Sequence, residues 1–380
     1  MKKCIVISDS FKGSLSSMTI CEVAANSISR FFPDCEVIAL PVADGGEGTV
    51  ECFLRALPGQ KITLPVHGPY QETIEASYAR FGATAVIEMS AAAGLPLTYG
   101  KKNPSLTTTY GVGELMRHAV SQGAAHIILG LGGSATNDGG CGCAAAMGVE
   151  FYNSRGEKFL PVGASLDQIA KIDISPAKEL LKNCAVTAMC DIENPMYGPA
   201  GAAYIFAPQK GASEEMTAML DKNLRAFDTV LQSQLNIPSL GRVPGTGAAG
   251  AMGAGAIAFF GARLKSGIET VLDLVGFDQK LEGCDLVITG EGKIDSQSLK
   301  GKVVIGVARR AKKQNVPVIA IVGDVADDAY GAYEQGVSAI FSINRLAVPR
   351  AEAKQRSYED YQHTLEDVLR LMKAIKKHPF

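Results

Sequence analysis

Gly130-Leu131-Gly132-Gly133-Ser134-Ala135-Thr136-Asn137-Asp138-Gly139-Gly140 is the stretch of this sequence best suited to binding an anion. It follows an apolar run and precedes the alanine-rich segment Cys141 to Met147. Glycines let backbone N–H groups turn toward an anion with no Cβ in the way. Ser134 and Thr136 add hydroxyls, and a following helix would point its positive end at the same place. The other reading is a tight strand-to-helix turn, and the loop by itself does not separate the two. No Gly-Lys-Ser/Thr closes it, so it is not a Walker A loop. Asp138 adds a carboxylate of the kind that holds Mg²⁺, a cation that takes oxygen ligands and bridges phosphates.

Asp191 ends the apolar segment Ala185 to Cys190 and is followed by Glu193, Asn194 and Pro195. A carboxylate at the carboxyl end of a strand can bind metal or take a proton from an attacking hydroxyl. It can equally cap the turn before Pro195. Lys210, in Pro208-Gln209-Lys210-Gly211-Ala212, reads as a solvated lysine. Three further loops mix charge with glycine: Asp9-Ser10-Phe11-Lys12-Gly13-Ser14, Asp44-Gly45-Gly46-Glu47-Gly48-Thr49 and Gly290-Glu291-Gly292-Lys293-Ile294-Asp295. Any one of them arises often by chance on a surface. Each follows an apolar run, however, and open parallel sheets bind ligands at the carboxyl ends of their strands, so a shared rim is harder to dismiss.

The elements that must position these loops are legible as apolar patterns. Cys4 to Ser8 is a short buried strand, Ser16 to Phe32 carries apolar residues at helical spacing and stops before Pro33, and Glu36 to Val42 is a second strand. The pattern returns late in the chain: strand Asp285 to Thr289, helix Lys302 to Gln314, strand Val316 to Val322, a short helix around Ala329 to Gln335, strand Ser338 to Ile343 and a long helix from about Ser357 to Lys376. Strands alternating with helices predict one parallel, doubly wound α/β sheet built from both chain ends, because parallel neighbours need crossover helices. The sequence between about Lys61 and Gly283 differs in texture and predicts an inserted second α/β domain. It opens with alternating strands, Lys61 to Val66, Thr73 to Phe81 and Thr84 to Met89. Helices Tyr110 to Gln122, Gly139 to Met147, Glu214 to Leu235 and Gly247 to Phe260 follow, with strands Ala125 to Leu131 and Ala185 to Asp191 between them. The expected division is 1–60 with 284–380, and 61–283 for the insert carrying the Gly-rich loop.

Composition narrows the classes. In 380 residues, 47% are apolar and 20% charged, and the net charge is −2, which sets up no positive field for a polyphosphate backbone. Nucleic acid is therefore not expected as a partner. Nine cysteines in no disulfide or zinc pattern suit a reducing compartment, and no signal peptide or membrane-spanning run is read, so the expected location is cytoplasmic with no membrane partner. His67, His118, His126, His363 and His378 form no zinc-hydrolase motif, no Gly-x-Ser-x-Gly elbow accompanies a triad, and the first strand lacks a dinucleotide fingerprint. Phosphoryl transfer is the chemistry left in front.

The chain resembles the bacterial type I glycerate kinase family over essentially its full length. The resemblance is carried by Asp9 to Ser14, Ala43 to Thr49, Gly132 to Gly140, Pro208 to Ala212 and Ile288 to Asp295, in the family's order. It implies a flavodoxin-like doubly wound domain from both chain ends with an inserted α/β domain. The implied reaction is phosphorylation of D-glycerate by ATP with Mg²⁺, giving 2-phosphoglycerate and ADP. Lys293 stands where arginine is about as common in the family.

On that basis D-glycerate is expected in the interdomain cleft, with its carboxylate near Lys12 and Ser14. Ser10, Asp44, Glu47, Glu291 and Asp295 complete the expected substrate set. Gly132, Gly133, Ser134, Ala135, Thr136 and Asn137 are expected to hold the nucleotide phosphates. Asp191 is the expected base, with Lys293 and Lys12 as catalytic cations and Asp138 or Asp191 as metal ligand. Other readings are 3-phosphorylation, a kinase of another small alcohol, and a non-catalytic sugar-acid sensor; a homodimer is the assembly expected, if any.

Overall fold

The computed structural model describes residues 1–11, 13–42 and 45–377. Lys12 and Asp44, both expected to touch substrate, lie outside the described residues. The chain divides into two units, one built from Met1–Ala43, Glu51–Leu57 and Ser266–Phe380, the other from Asp44–Val50 and Pro58–Lys265.

In the first unit the strands Lys3–Ser8, Glu36–Pro41, Leu286–Gly290, Val318–Val322 and Ala339–Ser342 form a five-stranded sheet, parallel throughout. Numbered along the chain, they lie in the order 2-1-3-4-5. The core strand reads Cys-Ile-Val-Ile without alternation because both of its faces are covered: Cys4, Ile5, Val6 and Ile7 are all fully buried. Cys4, Val6, Leu286 and Ile288 pack with Ile20 and Ile28 of helix Ser17–Phe31 and with Tyr361 and Leu365 of helix Arg350–Lys377. Helix Val303–Lys313 packs on the same strands outside that cluster and so covers the opposite face, where Ile5, Ile7 and Val287 point. Ser16 starts the first helix as expected, its hydroxyl accepting from the Thr19 N–H at 3.0 Å.

The second unit ends at Lys265, short of the Gly283 expected from texture. The segment between belongs to the sheet of the chain ends because Arg310 holds it there. Its guanidinium, 12% exposed, reaches Glu269 and Asp273 at 2.5 Å and Asp278 at 3.2 Å, all carried by helices Gly267–Leu274 and Phe277–Lys280.

The sheet of the second unit is mixed, in the order Arg263–Lys265, Ala185–Met189, His126–Gly130, Thr84–Glu88, Thr73–Phe81, Gln60–His67. The first four strands run parallel and the last two add antiparallel pairs. Helices Tyr110–Ser121, Glu214–Leu235 and Ala248–Phe260 bury Leu115, Phe227 and Phe259 in its core. One expectation fails here: the alanine-rich run from Gly247 is not a continuous helix. Ala249, Gly250 and Ala251 are all left-handed, with φ of 53°, 66° and 67°. The Gly250 carbonyl accepts from the Gly139 N–H at 3.1 Å, and a Cβ on Gly250 would stand 2.0 Å from the Thr136 carbonyl oxygen. Backbone seated on backbone has overridden the helix preference of alanine. Among the described residues no helix is long and apolar enough to cross a membrane.

Candidate functional site

Glu88, Gly130 and Met189 are paired in register across the three adjacent parallel strands of the second unit. The loops that follow them therefore leave the sheet side by side at its carboxyl edge, where dipoles and loop freedom make open α/β sheets bind ligands. One loop is the Gly-rich run, one carries Asp191, and the third carries Glu88 and Ser90.

The Gly-rich run is set against the segment Gly45 to Val50. The Gly132 N–H donates to the Gly45 carbonyl at 3.0 Å. A Cβ at Gly130 would lie 2.4 Å from the Gly45 oxygen, and one at Gly132 would lie 2.5 Å from the Gly46 Cα. Two glycine turns thus approach backbone to backbone, which side chains would forbid. Glu88 fastens the arrangement. It accepts from the Val50 N–H at 2.6 Å and the Ser90 hydroxyl at 3.1 Å, and the Gly48 amide bonds to it as well. Burial raises its pKa, against the lowering by these donors. Glu88→Ala leaves the buried Val50 N–H without a partner and is expected to cost about 1–3 kcal/mol in urea unfolding. Glu88→Gln keeps an acceptor for Val50 and should cost less than about 1 kcal/mol. Equal losses for the two would show that the amide contact is not what matters.

A cavity of about 380 Å³ opens at this edge, within the size range of small-molecule sites. Gly46, Gly132, Gly133, Ser134, Asp191 and Lys210 line it together with apolar side chains such as Leu95 and Phe206. Asp191 is exposed in the loop after strand Ala185–Met189. Lys210 overturns its sequence reading: it is not solvated but 3% exposed, and its Nζ donates to the Ser134 hydroxyl at 2.9 Å and the Thr136 carbonyl at 2.7 Å. Burial lowers its pKa to about 7, with Asp138 pushing the other way. Nothing local in Pro208 to Ala212 signals this, because the burial comes from residues some seventy positions away. Glu88 was missed as well, although an acidic residue closing the apolar run Ala85 to Ile87 was a signal.

The expected phosphate run divides. Gly132, Gly133 and Ser134 reach the cavity, whereas Ala135, Thr136 and Asn137 lie beneath it with exposures of 1%, 0% and 0%. The chain turns inward there because the Ala135 N–H donates to Ala93 at 2.8 Å and its carbonyl accepts from the Thr107 hydroxyl at 2.9 Å. The Thr136 hydroxyl and both amide atoms of Asn137 have no hydrogen-bond partner among the described residues. Asp138 is the clear correction. Its carboxylate is fully buried and accepts from the Thr109 N–H and hydroxyl, both at 2.8 Å, from Gly140 at 3.1 Å and from Gly142 at 3.2 Å. It braces the entry to helix Cys141–Ala146 and has no access to a metal in the cavity. Burial, the larger effect, raises its pKa despite these donors.

Among the described residues no group of three or more His, Cys, Asp and Glu side chains converges on one point. Mg²⁺ needs only one or two carboxylates when phosphates and water fill its other positions, and Asp191 offers one in the cavity. The glycine turn, the Ser134 hydroxyl and the Lys210 ammonium suit phosphate oxygens.

The remaining expected residues follow a second carboxyl edge, that of the first unit's sheet. Ser8 and Gly290 are in register, and the Asp9 N–H donates to the Gly290 carbonyl at 2.9 Å. Ser10 and Glu291 accordingly leave adjacent strands. Glu291 is 5% exposed, its Oε1 has no hydrogen-bond partner among the described residues, and burial, its largest influence, raises its pKa to about 7. Lys293 is half exposed, 3.7 Å from Asp295. Asp295 also accepts from the Gln297 and Ser298 amides at 3.0 and 3.3 Å, closing its own turn. Ser14 is exposed and spends its hydroxyl on the Phe11 carbonyl at 3.0 Å. Glu47 is exposed and belongs to the second unit.

Comparison with known proteins adds a further line. The sequence model of the glycerate kinase family matches residues 4–373. The chain is 44% identical to a glycerate kinase of Bacillus cereus, covering 99% of this chain and 100% of that one. It is 44% identical to a glycerate 2-kinase of Escherichia coli K12, covering 94% of each. A crystal structure of a candidate glycerate kinase 2 from Salmonella typhimurium LT2 superposes with a TM-score of 0.86 at 39% identity, over 99% of both chains.

Proposed function

The chain belongs to the glycerate kinase family, and we propose that it transfers the γ-phosphoryl group of ATP to the 2-hydroxyl of D-glycerate, giving 2-phosphoglycerate and ADP. The observation that carries this reading is the cavity at the carboxyl edge of the second unit, where a glycine turn, a hydroxyl, a cation and a carboxylate share one lining. We read the first unit, with its 2-1-3-4-5 order, as a flavodoxin-like doubly wound domain into which the second is inserted along the chain. The cysteines form no disulfide among the described residues, which supports a cytoplasmic setting.

Gly133 and Ser134 bind the nucleotide phosphates through their N–H groups and the Ser134 hydroxyl, while Gly132, whose own N–H is held by the Gly45 carbonyl, fixes where that turn lies. Ala135, Thr136 and Asn137 act from beneath by fixing that turn. Asp191 accepts the proton of the attacking hydroxyl, and in-line attack on the γ-phosphorus then breaks the bond to ADP. Ser10, Ser14, Glu291 and Asp295, with Lys12, bind the acceptor, and Lys293 and Lys12 balance its charge. If Asp191 instead holds Mg²⁺ brought by ATP, the cation would supply neutralisation of phosphate charge there.

Incubation with MgATP and D-glycerate, followed by ³¹P NMR, tests the reading. A phosphate coupled to the C2 proton is expected. Coupling to the C3 protons would assign the other hydroxyl, turnover only with a different alcohol would move the substrate class, and ATP left intact with bound glycerate would make the chain a sensor.

A further inference from the structure

We propose that Lys210 is the residue that carries positive charge to the nucleotide's phosphates, and that nucleotide binding draws a proton onto it from solution. The inference rests on the kinase reading of the cavity. Among the described residues lining that cavity Lys210 is the one cation. An ammonium has three N–H donors. Two go to the Ser134 hydroxyl and the Thr136 carbonyl, so among the described residues one is left for a ligand.

Neither of those partners is charged, and a buried ammonium facing neutral acceptors is costly to hold. The carboxylate that acts on it, Asp138, is already engaged by donors from Thr109, Gly140 and Gly142. A lysine serving only to tie two loops would need no charge. A lysine awaiting a polyanion has its partner supplied by the ligand.

Burial has brought the ammonium to a pKa of about 7, so near neutrality a large fraction carries no charge. A bound polyphosphate favours the charged form and raises that pKa. Binding therefore takes up a proton, and affinity weakens as pH rises above about 7. Among the described residues, the titratable group that acts on Lys210 is Asp138, on the turn before helix Cys141–Ala146, and Asp191 and Cys190, in the loop after strand Ala185–Met189, line the same cavity. Burial pushes the Cys190 thiol up, which leaves it neutral across this range.

Isothermal titration of the full chain with MgATP, in two buffers of different ionisation enthalpy, counts the protons. We expect uptake of about half a proton per nucleotide at pH 7.0, falling toward zero at pH 5.5. Lys210→Met should bind MgATP about 10- to 100-fold more weakly and with no proton uptake. Circular dichroism checks that this variant folds; if it does not, the proton count of the unaltered chain decides. MgATP binding with no proton exchanged, or unchanged affinity in folded Lys210→Met, overturns the role of Lys210 and leaves the kinase reading standing. No MgATP binding at any pH overturns both.

Discussion

Asp191→Asn should lower kcat by at least about 10²-fold while leaving the thermal unfolding midpoint unmoved. The side chain is exposed in the loop after strand Ala185–Met189, and asparagine keeps its size and an oxygen acceptor. What it removes is a carboxylate at the carboxyl end of a parallel strand, in the same cavity as Gly132 to Ser134 and Lys210. Phosphoryl transfer leaves little else for a protein group to do there: it can take the hydroxyl proton or hold Mg²⁺. The two roles separate experimentally. Loss of a base lowers kcat at every Mg²⁺ concentration, with KM for ATP nearly unchanged. Loss of a metal ligand raises the Mg²⁺ concentration needed for half-maximal rate and is partly recovered by excess metal. A rate equal to that of the unaltered chain would remove Asp191 from both roles.

The parts of this molecule legible in the sequence are those governed by short-range patterns. The strand Lys3–Ser8 showed as an unbroken apolar run because both its faces are covered, and the helix Ser17–Phe31 showed through spacing and the Ser16 cap. The Gly130 to Gly133 turn showed through composition. What stayed hidden depends on contacts between distant segments. Alanine at 249 and 251 argues for helix, yet the Gly250 backbone is pressed against Thr136 and the segment turns left-handed. Asp138 in a Gly-rich loop looked like a metal ligand, and only the arrival of Thr109 from another segment makes it a buried brace. Lys210 is the largest gap, since a lysine bounded by proline and glycine looks solvated until Ser134 and Thr136 close over it. That the second unit ends at Lys265 was hidden for a similar reason: the bonds from Arg310 to Glu269, Asp273 and Asp278 cross a long stretch of chain.

Gly132→Ala is expected to cost about 1–3 kcal/mol of stability and to weaken MgATP binding by at least about 10-fold. The added Cβ would stand 2.5 Å from the Gly46 Cα and 2.9 Å from the Gly46 nitrogen. Both are backbone atoms, so no rotamer change relieves the clash and the two turns must separate. Separation breaks the bond from the Gly132 N–H to the Gly45 carbonyl, now 3.0 Å long, and moves the N–H groups proposed to meet phosphate. Gly132 does not have a left-handed φ, so strain from the substitution itself is not part of the loss. Gly48→Ala is the matching control. It has the opposite balance, with φ of +90° and no heavy atom within 4 Å of its Cβ position. It should lose only the cost of a left-handed alanine, about 1–2 kcal/mol, and keep its affinity for MgATP. Thermal unfolding and MgATP titration of the two variants side by side decide the matter. If Gly132→Ala binds nucleotide as tightly as Gly48→Ala, the close seating of Gly132 on Gly46 plays no part in holding the phosphates. If affinity falls only in Gly132→Ala, the second glycine turn is a working part of the nucleotide site because it sets where the first one lies.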